Sequence, residues 1–372
     1  MSLMAEVGQK AFNLGVPLAI HMDVTYRCNE RCVHCYLDHD DHGEMTSAEI
    51  KSVLDQLAEA GVFFLTFSGG EVFMRRDFLE LVEYARRLLF SVKIKTNAVM
   101  IGEAEAQRIR DLNVDTIQIS LYSHRPQVHD AITKLPHSFE RTLRAIRFLR
   151  DRGLRVTIAN VLMTANSADH YGVQKLAAEL GVQYTLDPTI TPMMNGDTSV
   201  LSLRIPGDDL KEIFHDRALV PNQEEFCAPP KPPSDEDLES YSCSAGHSFC
   251  YISPYGDVFP CVQFPLPTGN IRQQRFLDIW NRSPQMQEVR SIQAKDLTVC
   301  SSCSHVSSCT RCPGLAYMEG NMRGPSTADC EKSFYRTGQP TANMLRQGLM
   351  RPRATVPLVQ IRPVAVLACR IS

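Results

Sequence analysis

No run of about 18 uncharged apolar residues occurs anywhere in the chain, which excludes an ordinary membrane-spanning helix. The opening stretch, MSLMAEVGQKAFNLGVPLAI, carries Glu6 and Lys10 and lacks a basic segment followed by a long apolar one. It does not read as a secretory signal, and the expected location is cytoplasmic. Excess positive charge is missing too. Lys and Arg number 39 against 42 Asp and Glu, a formal net charge of −3, without the basic footprint that nucleic-acid binding favours. One basic patch stands apart, RPRATVPLVQIRP near the C-terminus. Cysteine is absent between Cys35 and Cys227, yet the chain holds 13. Without an export signal a disulfide scaffold explains these thiols poorly, and metal ligation explains them better.

The 372 residues, 44% of them hydrophobic, suffice for a large core and more than one domain. Strand-like and helix-like stretches alternate through the first half. LAIHMDV (18–24), VFFLTF (62–67), VKIKT (92–96), VDTIQISL (114–121), LRVTIANVLM (154–163) and VQYTLD (182–187) read as strands. Between them lie helical patterns, the first opening at Thr46 with Glu49 in capping-box register and ending at Gly61. Further helices are read over 103–112, 138–151 and 169–180. Such alternation implies a parallel sheet with right-handed crossovers. Either an open doubly wound sheet or an incomplete (β/α) barrel fits, and both place functional loops beyond the carboxyl ends of the strands. From about 216 the pattern changes. APPKPPSDEDLES (228–240) reads as a linker or surface bridge. A cysteine-rich region with short elements follows, FLDIWN (276–281) beginning one helix, and it is expected to take much of its folding energy from bound metal.

Residues 28–35, CNERCVHC, put three thiols in a C-x3-C-x2-C spacing directly after the first strand. Zinc or a cubane cluster would ordinarily use four protein ligands. The fourth could be His34 or a distant cysteine, or one iron could stay open to a small molecule. FSGGE follows the second strand. There Gly69 and Gly70 let backbone approach a ligand, and Glu71 supplies a carboxylate suited to an amine.

Cys28, Cys32 and Cys35 in this order, with GGE at 69–71, resemble the radical S-adenosylmethionine (SAM) superfamily over residues 18–187. The resemblance implies an α/β fold, a partial (β/α)6 TIM-like barrel. It also implies a [4Fe–4S] cluster whose open iron is chelated by SAM, so that the fourth position belongs to the cosubstrate. Reductive cleavage of SAM to a 5′-deoxyadenosyl radical is the implied chemistry. Tyr36 would neighbour the adenine, while Ser68, Gly69, Gly70 and Glu71 would arrange the methionine amine. Thr96, Asn97 and Ser120, ending the third and fourth strands, are candidate cosubstrate contacts; they equally finish strands and satisfy backbone groups. No side chain is assigned to catalysis.

The second array runs Cys243, Cys250, Cys261, Cys300, Cys303, Cys309, Cys312 and Cys330, eight thiols in all. Two cubane clusters or two four-cysteine zinc sites fit that count. The array resembles the SPASM auxiliary-cluster domain of peptide-modifying radical enzymes, an expected C-terminal cysteine-rich iron–sulfur domain. The resemblance assigns Cys243, Cys250, Cys261 and Cys312 to one auxiliary cluster, and Cys300, Cys303, Cys309 and Cys330 to another. The closing C-x2-C between Cys309 and Cys312 is one residue shorter than usual. Cys227 and Cys369 are left as ordinary thiols, and Tyr255 and Asp257 as turn residues. The expected divisions are a barrel over 1–215, a bridge over 216–240, an auxiliary-cluster domain over 241–340 and a tail over 341–372.

Together these imply three [4Fe–4S] clusters, SAM, and a radical oxidoreductase or maturase that modifies or crosslinks a ribosomally made precursor peptide. A reducing donor such as flavodoxin or ferredoxin is implied. With the first strand beginning near residue 18, no peptide-recognition domain is expected ahead of the barrel, and the enzyme could use a separate peptide-recognition protein, bind its peptide directly or modify something other than a peptide. The alternatives are a haem-pathway or other small-molecule radical enzyme, a peptide epimerase and a zinc-stabilised scaffold.

Overall fold

The computed structural model describes residues 3–37, 39 and 42–348. Cys369 and the basic stretch at 351–363 lie outside the described residues. Six parallel strands run β1 (Ala19–Asp23), β2 (Phe64–Ser68), β3 (Ser91–Thr96), β4 (Thr116–Ser120), β5 (Val156–Val161) and β6 (Gln183–Asp187). After α1 (Leu3–Leu14), the crossover helices are α2 (Ser47–Glu59), α3 (Phe78–Arg87), α4 (Glu103–Asp111), α5 (Pro126–Thr133) with α6 (Ser138–Asp151), and α7 (His170–Leu180). Neighbours in the sheet follow chain order from β1 to β6. A doubly wound fold would place later strands of the alternating unit on both sides of its first strand; here β2 to β6 all lie on one side of β1, and the six strands curve into a partial barrel.

Local chemistry explains the elements. Thr46 caps α2, its hydroxyl accepting from Glu49 N while Glu49 Oε2 accepts from Thr46 N at 2.7 Å. Ile50, Val53, Leu54 and Leu57 form the buried stripe, each burial stabilising by about 1.5–3 kcal/mol. Gly61, at φ +83°, takes the left-handed turn that stops the helix. Helix α5 is absent from the sequence reading. Pro126 opens it and Lys134, left-handed at φ +57°, closes it, so it is too short for its periodicity to stand out.

The cysteine-rich region does more than follow the barrel. Its strand β7 (Phe249–Ile252) pairs parallel with β1, His21 opposite Tyr251, and antiparallel β8 (Asp257–Phe259) and β9 (Gly269–Asn270) extend the same sheet. Cys250, Ile252, Phe276, Trp280 and Met286 join the barrel's own apolar core. Trp280 is 1% exposed and donates Nε1–H to Gly15 O at 2.7 Å. The expectation that metal takes the place of an apolar core here is therefore corrected for residues 249–286, which bury large side chains against β1 and α2. No helix among the described residues is long and apolar enough to cross a membrane.

Candidate active site

The carboxyl ends of β1 to β6 open into a cavity of about 650 Å³. Cys28, Cys32, Cys35 and Tyr36, from the loop after β1, line it. Ser68, Gly69 and Gly70 line it after β2, as do Thr96 and Asn97 at the end of β3 and Ser120 at the end of β4. Of the sequence-selected residues in the barrel only Glu71 is off the wall.

The two glycines on the cavity wall also serve a neighbour within the protein. Gly70 N donates to Thr25 O at 2.8 Å and Glu71 N to Arg27 O at 2.9 Å, so these amides are committed to protein. A Cβ on Gly69 would lie 2.1 Å from Thr25 O, and one on Gly70 would lie 2.5 Å from both Tyr26 O and Arg27 O. Gly69 also sits at φ +139°. The pair lets two loops pack backbone to backbone, which sets where the cysteine loop begins.

Glu71 is 1% exposed. Its carboxylate accepts from Thr96 Oγ1 at 2.8 and 2.9 Å, from Asn97 N at 2.8 Å and from Phe73 N at 3.1 Å. Burial raises its pKa, and these bonds pull it back. Instead of facing a ligand amine, Glu71 locks the end of β3 to the loop after β2. Asn97 then reaches Asn29 Oδ1 with its Nδ2 at 2.8 Å, connecting β3 to the cysteine loop.

The thiols are costly to ionise in this setting. Burial pushes Cys28 up to about 12 and raises Cys32 and Cys35 as well. Burial also raises Glu30 to about 8; its Oε2 accepts from Cys32 Sγ at 3.4 Å while its Oε1 has no partner. His34 lines the same cavity with Nδ1 unpartnered. A bound metal centre reverses this balance, because its positive charge draws the thiolates out. Among the described residues no three His, Cys, Asp or Glu close on a single ion. The three thiols instead share a cavity wall, a donor set that fits an iron–sulfur cluster.

Two further thiol groups form in the C-terminal region. Cys300, Cys303, Cys309 and Cys330 line a separate cavity of about 250 Å³. Cys261 lies near enough to Cys243 and Cys312 for their charges to raise its pKa, and it does the same to Cys250. Burial is the leading cause throughout, taking Cys261 and Cys300 to about 11 and Cys330 to about 12. Cys227 packs in a small apolar cluster with Leu210 and Phe214. Tyr255 stands edge-on to Tyr26 at 5.3 Å, and Asp257 accepts from Asn270 Nδ2 at 2.8 Å.

Some wall residues escaped the sequence reading. His21, Lys95, Gln118 and Asp187 line the cavity from the strands, and Val262 with Gln263 line it from the loop after Cys261. Gln263 Nε2 donates to Thr191 Oγ1 at 2.7 Å, joining that loop to the barrel rim. VKIKT carried a signal. In a strand covered on its outer face by helices, alternation points the lysines inward.

A family model described as the Radical SAM superfamily matches residues 22–171, and one described as an iron–sulfur cluster-binding domain, SPASM, matches 243–313. The mycofactocin maturase MftC of Mycobacterium tuberculosis is 30% identical over 309 residues, covering 80% of this chain and 78% of that protein. An AdoMet-dependent heme synthase of Oleidesulfovibrio alaskensis is 28% identical over 323 residues, covering 79% and 81%. Among solved structures, Streptococcus suis SuiB bound to precursor peptide SuiA aligns with a TM-score of 0.70 at 18% identity, over 87% of this chain and 78% of that one. That last likeness is one of fold.

Proposed function

Because this chain belongs to the radical SAM superfamily and carries its SPASM iron–sulfur domain, we propose that this enzyme oxidatively modifies or crosslinks a ribosomally made peptide. Cys28, Cys32 and Cys35 would hold the cluster that binds SAM. Cys243, Cys250, Cys261 and Cys312 would hold one auxiliary cluster, and Cys300, Cys303, Cys309 and Cys330 a second. When bound, the cluster and SAM supply a primary carbon radical able to take a hydrogen atom from an unactivated carbon.

The chain's own residues do the positioning. Tyr36, Ser68, Gly69, Gly70, Thr96, Asn97 and Ser120 would surround SAM, with Glu71 holding the Thr96–Asn97 corner in place. The barrel interior below would orient one substrate C–H and keep water and competing hydrogen donors away. The observation that carries the oxidative reading is a shared wall. Val262 and Gln263, directly after Cys261, line the same cavity as Cys28, Cys32 and Cys35. An electron leaving the substrate there would pass beside the residues that follow Cys261. The peptide part is supported by the maturase name of the 30% identical relative and by the peptide complex of the fold neighbour. A flavodoxin- or ferredoxin-type donor and a separate peptide-recognition protein complete the proposal.

The similarity to a heme synthase favours a second reading, radical oxidation of a tetrapyrrole-class molecule. One set of anaerobic measurements separates them. Reconstituted protein should be brown, with about twelve irons per chain and broad absorption near about 400 nm, and should release 5′-deoxyadenosine on reduction with SAM. A peptide product lighter by two hydrogens, localised to one crosslink, supports maturation. Unchanged mass with exchange at one α-carbon indicates epimerisation. A modified tetrapyrrole with peptides untouched establishes the second reading.

A further inference from the structure

A barrel interior is ordinarily filled by branched apolar side chains. This one is not. On β3 the burial alternates, Val92 and Ile94 lying under the helices and Lys93 and Lys95 on the opposite, inward face. Gln118 of β4 stands directly across from Lys95 in the parallel register, and both line the cavity. A cation and an amide therefore line space that packing alone would give to valine or isoleucine.

The Lys95 ammonium has no ion pair and no hydrogen bond among the described residues. The anionic groups that act on it are Asp23, the Cys261 thiol and Asp187, at longer range. Asp23 is occupied. It takes His21 Nε2 at 3.1 Å and the Tyr251 hydroxyl at 2.9 Å. Asp187 accepts from Thr189 N at 2.8 Å. Burial lowers the pKa of Lys95, and burial followed by repulsion from Lys95 lowers that of Lys93. Gln118 adds a second unmet demand, since its Oε1 is buried without a partner. A half-buried ammonium wants an anion, and a dry amide oxygen wants an N–H.

We propose that Lys95 and Gln118 form a recognition subsite for a substrate carboxylate and the N–H next to it. The ammonium takes the carboxylate in a charge-assisted bond, and Gln118 takes the neighbouring amide. An acidic residue of a peptide presents that pair. The subsite rests on reading the cavity as the substrate chamber and deepens it by naming the chemical class. A second carboxylate could compete for Lys95, that of SAM itself, and the experiment separates the two sources.

The test uses the full chain, reconstituted anaerobically and saturated with SAM. The probes are N-acetyl-glutamate N-methylamide and its glutamine counterpart, which differ only in charge, with binding read by saturation-transfer NMR. Wild type should bind the glutamate probe at least about tenfold more tightly, the loss typical of one charged hydrogen bond. Lys95→Met should abolish that preference, Lys95→Arg should retain part of it, and SAM affinity should be unchanged in both. Gln118→Leu should weaken both probes alike. Wild type without a preference for the glutamate probe, or Lys95→Met with the preference intact, overturns the proposal. So does a fall in SAM affinity in Lys95→Met, which assigns the lysine to the cosubstrate. Failure of peptide turnover leaves this binding result standing, so the two readings fail separately.

Discussion

The Tyr251 hydroxyl donates to Asp23 Oδ2 at 2.9 Å, between residues 228 positions apart in sequence. The same hydroxyl meets Tyr26 Oη at 2.7 Å, and Asp23 Oδ1 meets His21 Nε2 at 3.1 Å. This buried chain joins β7, which carries Cys250, to β1, which leads into Cys28. Both cysteine arrays are therefore referenced to one polar cluster inside the barrel.

Tyr251→Phe keeps the ring and removes the hydroxyl. A buried carboxylate then loses a donor, at a cost of about 1–3 kcal/mol. The urea midpoint of the reconstituted variant should fall accordingly, and iron retention on dilution should fall with it. An unchanged midpoint would mean that water replaces the hydroxyl and that the cluster is not structural.

Glu71→Gln tests the Thr96–Asn97 corner proposed to hold SAM, from a position that is not itself on the cavity wall. The new NH2 group opposes donors on Phe73, Thr96 and Asn97, leaving one N–H unpaired at about 1–3 kcal/mol. SAM affinity should drop about tenfold, measured by equilibrium binding to the reconstituted protein. Iron content should stay the same, because no thiol moves.

Gly70→Ala forces a methyl against two carbonyl oxygens at 2.5 Å. Relief requires the Thr25–Arg27 segment to shift, at about 1–3 kcal/mol or more. The cysteine loop begins one residue later, so reconstitution should yield about four fewer irons of about twelve. Gly8→Ala, at an α1 position where the added Cβ meets nothing within 4 Å, should leave iron unchanged and serves as the control.

His129 supplies a pH dependence. It is 1% exposed, and its Nδ1 accepts from Tyr122 N at 3.2 Å, so the folded state holds it neutral. Burial lowers its pKa to about 4 from 6.5. The unfolded chain therefore takes up a proton first as pH falls. The stability contribution is whole above about 6.5, shrinks between about 6.5 and about 4, and is level below. By pH about 5 the loss should reach about 2 kcal/mol. Urea midpoints of wild type and His129→Asn at pH about 7.5 and about 5 check it, the variant showing a smaller drop.

Much of the barrel was legible because its signals are local. Thr46 with Glu49 and the apolar spacing of α2 are read within one segment, as is the alternation in VKIKT. The chain-order winding that makes the sheet a barrel was not legible, since either topology uses the same strands. Nor was the role of Glu71. An acidic residue after two glycines reads as a ligand group, and only the folded position of Thr96 and Asn97 turns it into a clamp. The pairing of β7 with β1 was hidden for the same reason, and so was the apolar core around Trp280, since cysteines and turn residues dominate that region's composition.

The sequence by itself determined where the thiols are and that three of them share one cavity wall, because residues within eight positions need only one loop to come together. Tertiary structure alone decided which distant cysteines become neighbours, which way Lys95 points and what occupies Glu71. Those outcomes depend on strand register and on backbone packing between segments far apart in the chain, and no local spacing encodes either.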